Sequence, residues 1–192
     1  MDAFQRFPGI GRRTAERLAF HVLRDPTSVA LARAIDRALS EAKRCRVCGN
    51  VAQQDPCEIC SDEARDVTQV AVVEEPRHVE ALERARAYKG LYHVLMGAYQ
   101  PAEGTLEGHL TIPHLIKRLK EGHVRELILA TDPDAEGEAT AQLVLEALDS
   151  AGIPDLKITR LARGLPAGAA IEYMHRGVIE DALEGRREVK IR

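Results

Sequence analysis

The apolar positions of this chain change rhythm once along its length. Over residues 4–42 they recur at helical spacing, interrupted by two turn signals, Pro8-Gly9-Ile10-Gly11 and Asp25-Pro26-Thr27-Ser28. The spacing predicts a helix that starts near Arg12 and sets Ala15, Leu18, Ala19, Val22 and Leu23 on one face. A further helix is expected after Asp25 as cap, with Pro26 at its first position and Leu31, Ile35, Ala38, Leu39 and Ala42 turned inward. Beyond residue 66 short β-rich apolar runs alternate with helical patterns, which is how a parallel α/β sheet reads. Strands are predicted over 67–73, 91–96, 126–131 and 157–162, helices over 77–87, 112–121 and 136–149, and an exposed loop over 98–111. Right-handed crossovers would bring the carboxyl ends of the strands to one shared edge. There is no internal repeat and no low-complexity tract.

The fold class is therefore α/β: an all-helical N-terminal head, a small four-cysteine module, and a parallel-sheet domain with a C-terminal tail. The boundaries fall at 1–44, 45–66, 67–165 and 166–192. A chain of 192 residues, 45% hydrophobic, is long enough for one ordinary core plus a smaller module. It has no apolar run near the length of about 18 that spans a bilayer and no basic-then-apolar leader, so a cytoplasmic protein with no membrane association is expected. The net charge of -3 argues against a generic nucleic-acid binder, but it is unevenly spread. Residues 1–46 hold 10 Lys/Arg against 5 Asp/Glu, whereas residues 47–192 hold 17 against 25. A basic head on an acidic body suggests a polyanion partner for the head, with chance scatter as the bland alternative.

Phe7-Pro8-Gly9-Ile10-Gly11-Arg12-Arg13-Thr14-Ala15 has the form of a helix-hairpin-helix. Gly9 and Gly11 allow a tight turn and leave the first N–H groups of the next helix facing outward, where the helix dipole favours an anion. A DNA phosphate fits that slot without any base being read, so binding would be independent of sequence and sensitive to salt. Arg12 begins the helix, and Arg13 and Arg17, four apart, lie on one face and would extend the contact along the backbone. Pro-Gly-x-Gly is also a common turn, and helix arginines are usually solvated, so the motif alone leaves both readings open.

Cys45-x2-Cys48-x8-Cys57-x2-Cys60 is the strongest physical signal in the chain, and no other cysteine occurs. In a reducing compartment such clustering favours metal over disulfide. Each C-x2-C pair forms a knuckle presenting two thiolates, and two knuckles close a tetrahedral all-sulfur site suited to Zn2+. With no histidine in the cluster and no open position, the expected role is structural, a rigid joint between head and sheet. Redox pairs or unpaired core cysteines are the competing readings.

A third constellation lies on the sheet. Val72-Val73-Glu74-Glu75 ends one strand in carboxylates, and Thr131-Asp132-Pro133-Asp134-Ala135-Glu136-Gly137-Glu138 ends another and leads into a helix. The carboxyl edge of neighbouring parallel strands is where α/β proteins bind ligands, and gathered carboxylates repel unless a cation joins them. Mg2+, held by one or two carboxylates and several waters, is the natural candidate. The simpler alternative is that Asp134 caps the following helix and that Glu136 and Glu138 favour its positive end.

Helix-hairpin-helix, four-cysteine zinc site and acidic sheet, in that order, resemble the RecR family of bacterial recombination mediators over essentially the whole chain, and the sheet resembles the Toprim domain of topoisomerases and primases. Matching stretches include Pro8-Gly9-Ile10-Gly11, Arg17-Leu18-Ala19-Phe20-His21, the cysteine cluster, Val72-Val73-Glu74, Gly90-Leu91-Tyr92-His93-Val94-Leu95 and Glu136-Gly137-Glu138-Ala139-Thr140-Ala141. The resemblance implies a non-enzymatic, nucleoid-associated protein that clamps DNA as a homo-oligomer, from a dimer to a tetrameric ring. It also implies work with RecO and RecF to load RecA on gapped DNA. By that likeness Arg13 and Arg17 fall where the family contacts DNA. Glu74, Asp132 and Asp134 fall on the acidic Toprim positions, where RecO and Mg2+ would meet the protein, and 166–192 serves oligomerisation.

Three departures limit the transfer. A typical member carries an extra helix before the hairpin, used in dimer contacts, whereas only residues 1–5 precede it here, which reads as a truncated or misassigned start. Asp132-Pro133-Asp134 is more acidic than the Asn-Pro-Thr form common in mediators and is similar to topoisomerases. Leu165-Pro166-Ala167-Gly168-Ala169-Ala170-Ile171-Glu172 lacks the second glycine and following acid usual there, in the region tied to nucleotide and assembly.

Two rival classes remain. The first is a Mg-dependent Toprim nuclease that uses the same carboxylates to cut phosphodiesters. A topoisomerase would also need a nucleophilic tyrosine in a strand-passing region, and Tyr88, Tyr92, Tyr99 and Tyr173 lie in or beside sheet segments, where packing is the ordinary role. The second is an adaptor that never touches DNA. The histidines, His21, His78, His93, His109, His114, His123 and His175, are scattered and receive no catalytic assignment.

Overall fold

A computed structural model describes residues 1–7 and 9–186; Pro8 of the hairpin turn and residues 187–192 of the C-terminal segment lie outside the described residues. The chain divides into two compact units, Met1–Lys43 and Arg44–Arg192.

The first unit is all helical: α1 (Asp2–Gln5), α2 (Arg12–Arg24) and α3 (Ser28–Glu41). α2 starts where the pattern predicts, and Gly11 is its N-cap with an extended backbone. α3 is regular from Ser28, two residues later than expected, but the Asp25 carboxylate accepts from the N–H of Thr27 at 2.8 Å and from its hydroxyl at 2.7 Å, the contact expected of a cap for a first turn at Pro26, and Thr27 already has a right-handed helical backbone. The inward placement of the α3 stripe is also corrected. Leu31, Ile35 and Leu39 are exposed, as are Phe20 and Leu23 of α2, and Ala15 is the buried residue of this unit among those described. Helical periodicity identifies a face and not its cover, and a unit of 43 residues is too small to bury two such faces.

The division falls within β1 (Lys43–Arg44), which pairs with β2 (Val51–Ala52) as a two-stranded ribbon, and the single turn α4 (Glu58–Ser61) follows. Then come β3 (Asp66–Val73), α5 (Pro76–Ala85), β4 (Gly90–Val94), α6 (Ile112–Lys120), β5 (Glu126–Leu129), α7 (Ala135–Ala151), β6 (Lys157–Arg160) and α8 (Arg176–Glu184). Every predicted strand and helix of the sheet domain is present, within a few residues at its ends. The sheet is parallel throughout, in the order β4-β3-β5-β6. Segment 98–111 is the predicted loop with two turns of 3-10 helix, anchored where the N–H of Tyr99 donates to the buried Thr140 hydroxyl of α7 at 2.8 Å.

Alternation along the strands builds two apolar layers. Val70, Val72, Leu127 and Leu129 pack with Leu115 and Leu119 of α6 and Val144 and Leu148 of α7. Ala71, Val73, Tyr92 and Val94 pack on the other side with Val79 of α5. β3 and β5 are neighbours, yet the helices that follow them lie on opposite faces and lead to opposite ends of the sheet. A crevice opens at the carboxyl edge at such a switch point.

Candidate functional site

The four cysteine sulfurs all lie within 4.8 Å of one another, with Cys48 Sγ and Cys57 Sγ 3.6 Å apart. A tetrahedral zinc site with Zn–S bonds of about 2.3 Å has S···S edges of about 3.8 Å, whereas a disulfide needs about 2.05 Å. The knuckles are built by the backbone: Cys45 N–H donates to Asn50 O at 2.8 Å, Gly49 N–H to Cys45 O at 2.9 Å, and Cys57 N–H points at Cys45 Sγ at 3.4 Å. The thiols titrate against each other. The hydrogen bond from Cys60 draws Cys48 down to about 5, the same bond pushes Cys60 far up, and burial pushes Cys57 up to about 11. Four thiols so crowded ionise together only around a divalent cation, and an all-sulfur tetrahedral set fits structural zinc.

In the first unit Gly9 sits at φ +74, a conformation glycine adopts freely, and Gly11 leads into α2 with no side-chain cap. The first N–H groups of α2 are therefore left to an outside acceptor. Arg12, Arg13 and Arg17 are all exposed, and among the described residues none forms an ion pair.

The acidic edge lies at the switch point between β3 and β5. Glu74 directly follows β3 and is only 4% exposed, and its carboxylate accepts a long 3.4 Å hydrogen bond from the Asp132 N–H. Asp132 follows β5 and is half exposed. Asp134 does not join them: its Oδ1 accepts from Gly137 N–H at 2.8 Å as the N-cap of α7. A Cβ on Gly137 would stand 2.0 Å from Asp132 O, so only glycine lets the first turn of α7 approach this loop. Glu138 is committed elsewhere, to a bidentate pair with Arg160 at 2.6 Å and to Arg163. His78, on the first turn of α5, completes the group: ligand atoms of Glu74, His78 and Asp132 lie within 4.8 Å of one another. The sequence carries a faint trace of it, since Glu74-Glu75-Pro76-Arg77-His78 places the histidine one turn into the helix that starts straight after the acidic strand end.

Comparison with known proteins adds three matches in chain order. Residues 1–42 match the RecR helix-hairpin-helix, residues 42–62 the RecR four-cysteine zinc finger domain, and residues 68–162 the Toprim domain. The chain is 48% identical over 192 residues to the recombination protein RecR of Pelotomaculum thermopropionicum, covering 99% of this chain and 94% of that protein. This chain belongs to the RecR family. The matched segments coincide with the helical unit, the cysteine module and the sheet domain described above. Among the described residues no helix is long and apolar enough to cross a membrane.

Within this RecR-family sheet, burial and the nearby Asp132 charge push the Glu74 carboxyl up to about 7 from an ordinary 4.5. The folded state then holds a proton that the unfolded chain releases, so the stability this group contributes is present below pH 4.5 and is lost as pH rises through about 7. Glu74→Gln, without added divalent cations, is expected to be more stable than the parent at pH 8 by on the order of 1–3 kcal/mol, with the difference gone at pH 4. Urea denaturation at both pH values measures it, and a gap independent of pH would contradict the buried-carboxylate account.

Proposed function

We propose that the chain is a non-enzymatic mediator of DNA recombination and repair. It grips DNA without reading sequence and, with RecO and RecF, promotes RecA loading on gapped DNA in the cytoplasm, at the nucleoid. One observation carries the reading: α2 presents an uncapped N-terminus beside exposed Arg12, Arg13 and Arg17, in a chain that is similar to a recombination protein throughout.

A homo-oligomer, dimer to tetrameric ring, is part of the proposal. Its support is the uncovered apolar stripe of α2 and α3, with Leu23 and Leu39 each 81% exposed, which a second copy would bury. Residues 166–192 are read as a further oligomerisation segment, supported by the exposed Ile171, Tyr173 and Leu183. Glu74 and Asp132 form the acidic edge read as the meeting place for RecO or for a divalent cation such as Mg2+. That proximity also favours the second reading, a Mg-dependent Toprim nuclease.

Incubating labelled gapped DNA with the full chain and Mg2+ or Mn2+, alongside a solution mass, separates these readings. The expected result is retained, intact DNA on a dimer or larger assembly. Metal-dependent cleavage abolished by Asp132→Asn would make the protein an enzyme, and a monomer on DNA would remove the clamp, because one 21.2 kDa subunit is too small to surround a duplex.

A further inference from the structure

The acidic edge includes a nitrogen ligand. His78 lies four residues after Glu74, in the first turn of α5, and a ring nitrogen lies within 4.8 Å of carboxylate oxygens of both Glu74 and Asp132. Its Nε2 stands 3.6 Å from Asp132 Oδ2, too far for a hydrogen bond, and its Nδ1 is buried with no partner. Neither ring nitrogen therefore has a hydrogen-bond partner among the described residues, although the side chain is only 16% exposed. An imidazole without hydrogen bonds at the mouth of a carboxylate pair is an unusual arrangement for a purely structural histidine, because a buried polar atom left unpaired is costly.

We propose that Glu74, His78 and Asp132 form a site for a first-row transition dication, of which Mn2+ is the simplest probe, in preference to Mg2+. The two carboxylates come from adjacent strand ends, and the imidazole comes from the helix start between them in sequence. The half-exposed Asp132 marks the solvent side, where water would complete the coordination. Imidazole suits the borderline metals, whereas Mg2+ asks for oxygen ligands in near-ideal octahedral geometry. The second acid of the Asp-x-Asp motif is not among the grouped ligand atoms: Asp134 Oδ1 accepts from the N–H of Gly137 as the N-cap of α7. The inference rests on reading this edge as a cation site and changes its ligand set and its preferred ion.

The test uses the full chain with its zinc already in place and titrates Mn2+, read by electron paramagnetic resonance with pulsed detection of 14N coupling. The expected result is one further Mn2+ per chain, coupled to a histidine nitrogen and displaced by Mg2+ only in large excess. His78→Ala should lose the nitrogen coupling and weaken Mn2+ by more than about tenfold. His78→Asp should keep a cation but narrow the preference over Mg2+, which guards against a simple folding failure. Asp134→Asn should leave both signals unchanged. Mn2+ bound without nitrogen coupling would overturn the role of His78 while leaving an oxygen-only cation site. No binding at all would overturn both that role and the cation reading of the edge, leaving it to a protein partner.

Discussion

Cys48→Ser is expected to strip zinc from the protein, and the damage should spread from the cysteine module to the sheet. β4 is the edge strand of the order β4-β3-β5-β6, and the zinc knuckle covers part of that edge, with Val94 N–H donating to Cys48 O at 2.7 Å. Gly49 lies directly against Val94 O, and Ile59 packs with the cysteines and with both apolar layers of the sheet. Remove one thiolate and the remaining three are left crowded, so the knuckles open and β4 presents unpaired backbone to other molecules. Metal binding in small zinc modules supplies roughly 10–16 kcal/mol of apparent folding free energy, far more than one side chain contributes through packing. Elemental analysis should fall from one zinc per chain to near none. Limited proteolysis should then cut within 45–62, and light scattering should show concentration-dependent aggregation. A variant that keeps its solubility and resists protease without zinc would show that the module folds on backbone and packing alone.

The second large effect concerns the hairpin. Arg13→Ala with Arg17→Ala should weaken binding to every DNA sequence by about the same factor. Each phosphate contact releases counterions with a slope near −0.9 in log K against log salt on duplex DNA, so two lost contacts near 0.1 M salt correspond to roughly 10- to 100-fold. The salt slope should become shallower by about 2 in magnitude. Because both side chains are exposed and unpaired among the described residues, the melting temperature should hardly move, which distinguishes a lost contact from a damaged fold. Fluorescence anisotropy on two unrelated duplexes at three salt concentrations measures all of this. An adaptor that never meets DNA would give no change.

These expectations differ in how far the chain alone announces them. The sheet domain is legible because strand and helix periods differ and each run has its own stop signal. The four elements around the acidic edge, β3, α5, β5 and α7, fall within a few residues of their predicted positions. The cysteine spacing also announces its chemistry, since two C-x2-C knuckles leave few other arrangements. The head is only half legible. Its helices are where the periodicity puts them, but the α3 stripe that the pattern turns inward is exposed in the structure.

The acidic edge marks the boundary most clearly. That Glu74 and Asp132 end parallel strands follows from local patterns of apolar and polar residues, which depend on nearest neighbours along the chain. That the two strands lie side by side and that His78 comes within reach of both carboxylates depend on strand order and helix packing. The deciding contact joins residues more than fifty positions apart, Glu74 and Asp132, and no local period records it, whereas the cap that Asp134 places on α7 spans three residues and is legible in the sequence. Linear order thus specified which ligands the chain owns; long-range packing selected which of them share one cation-sized space.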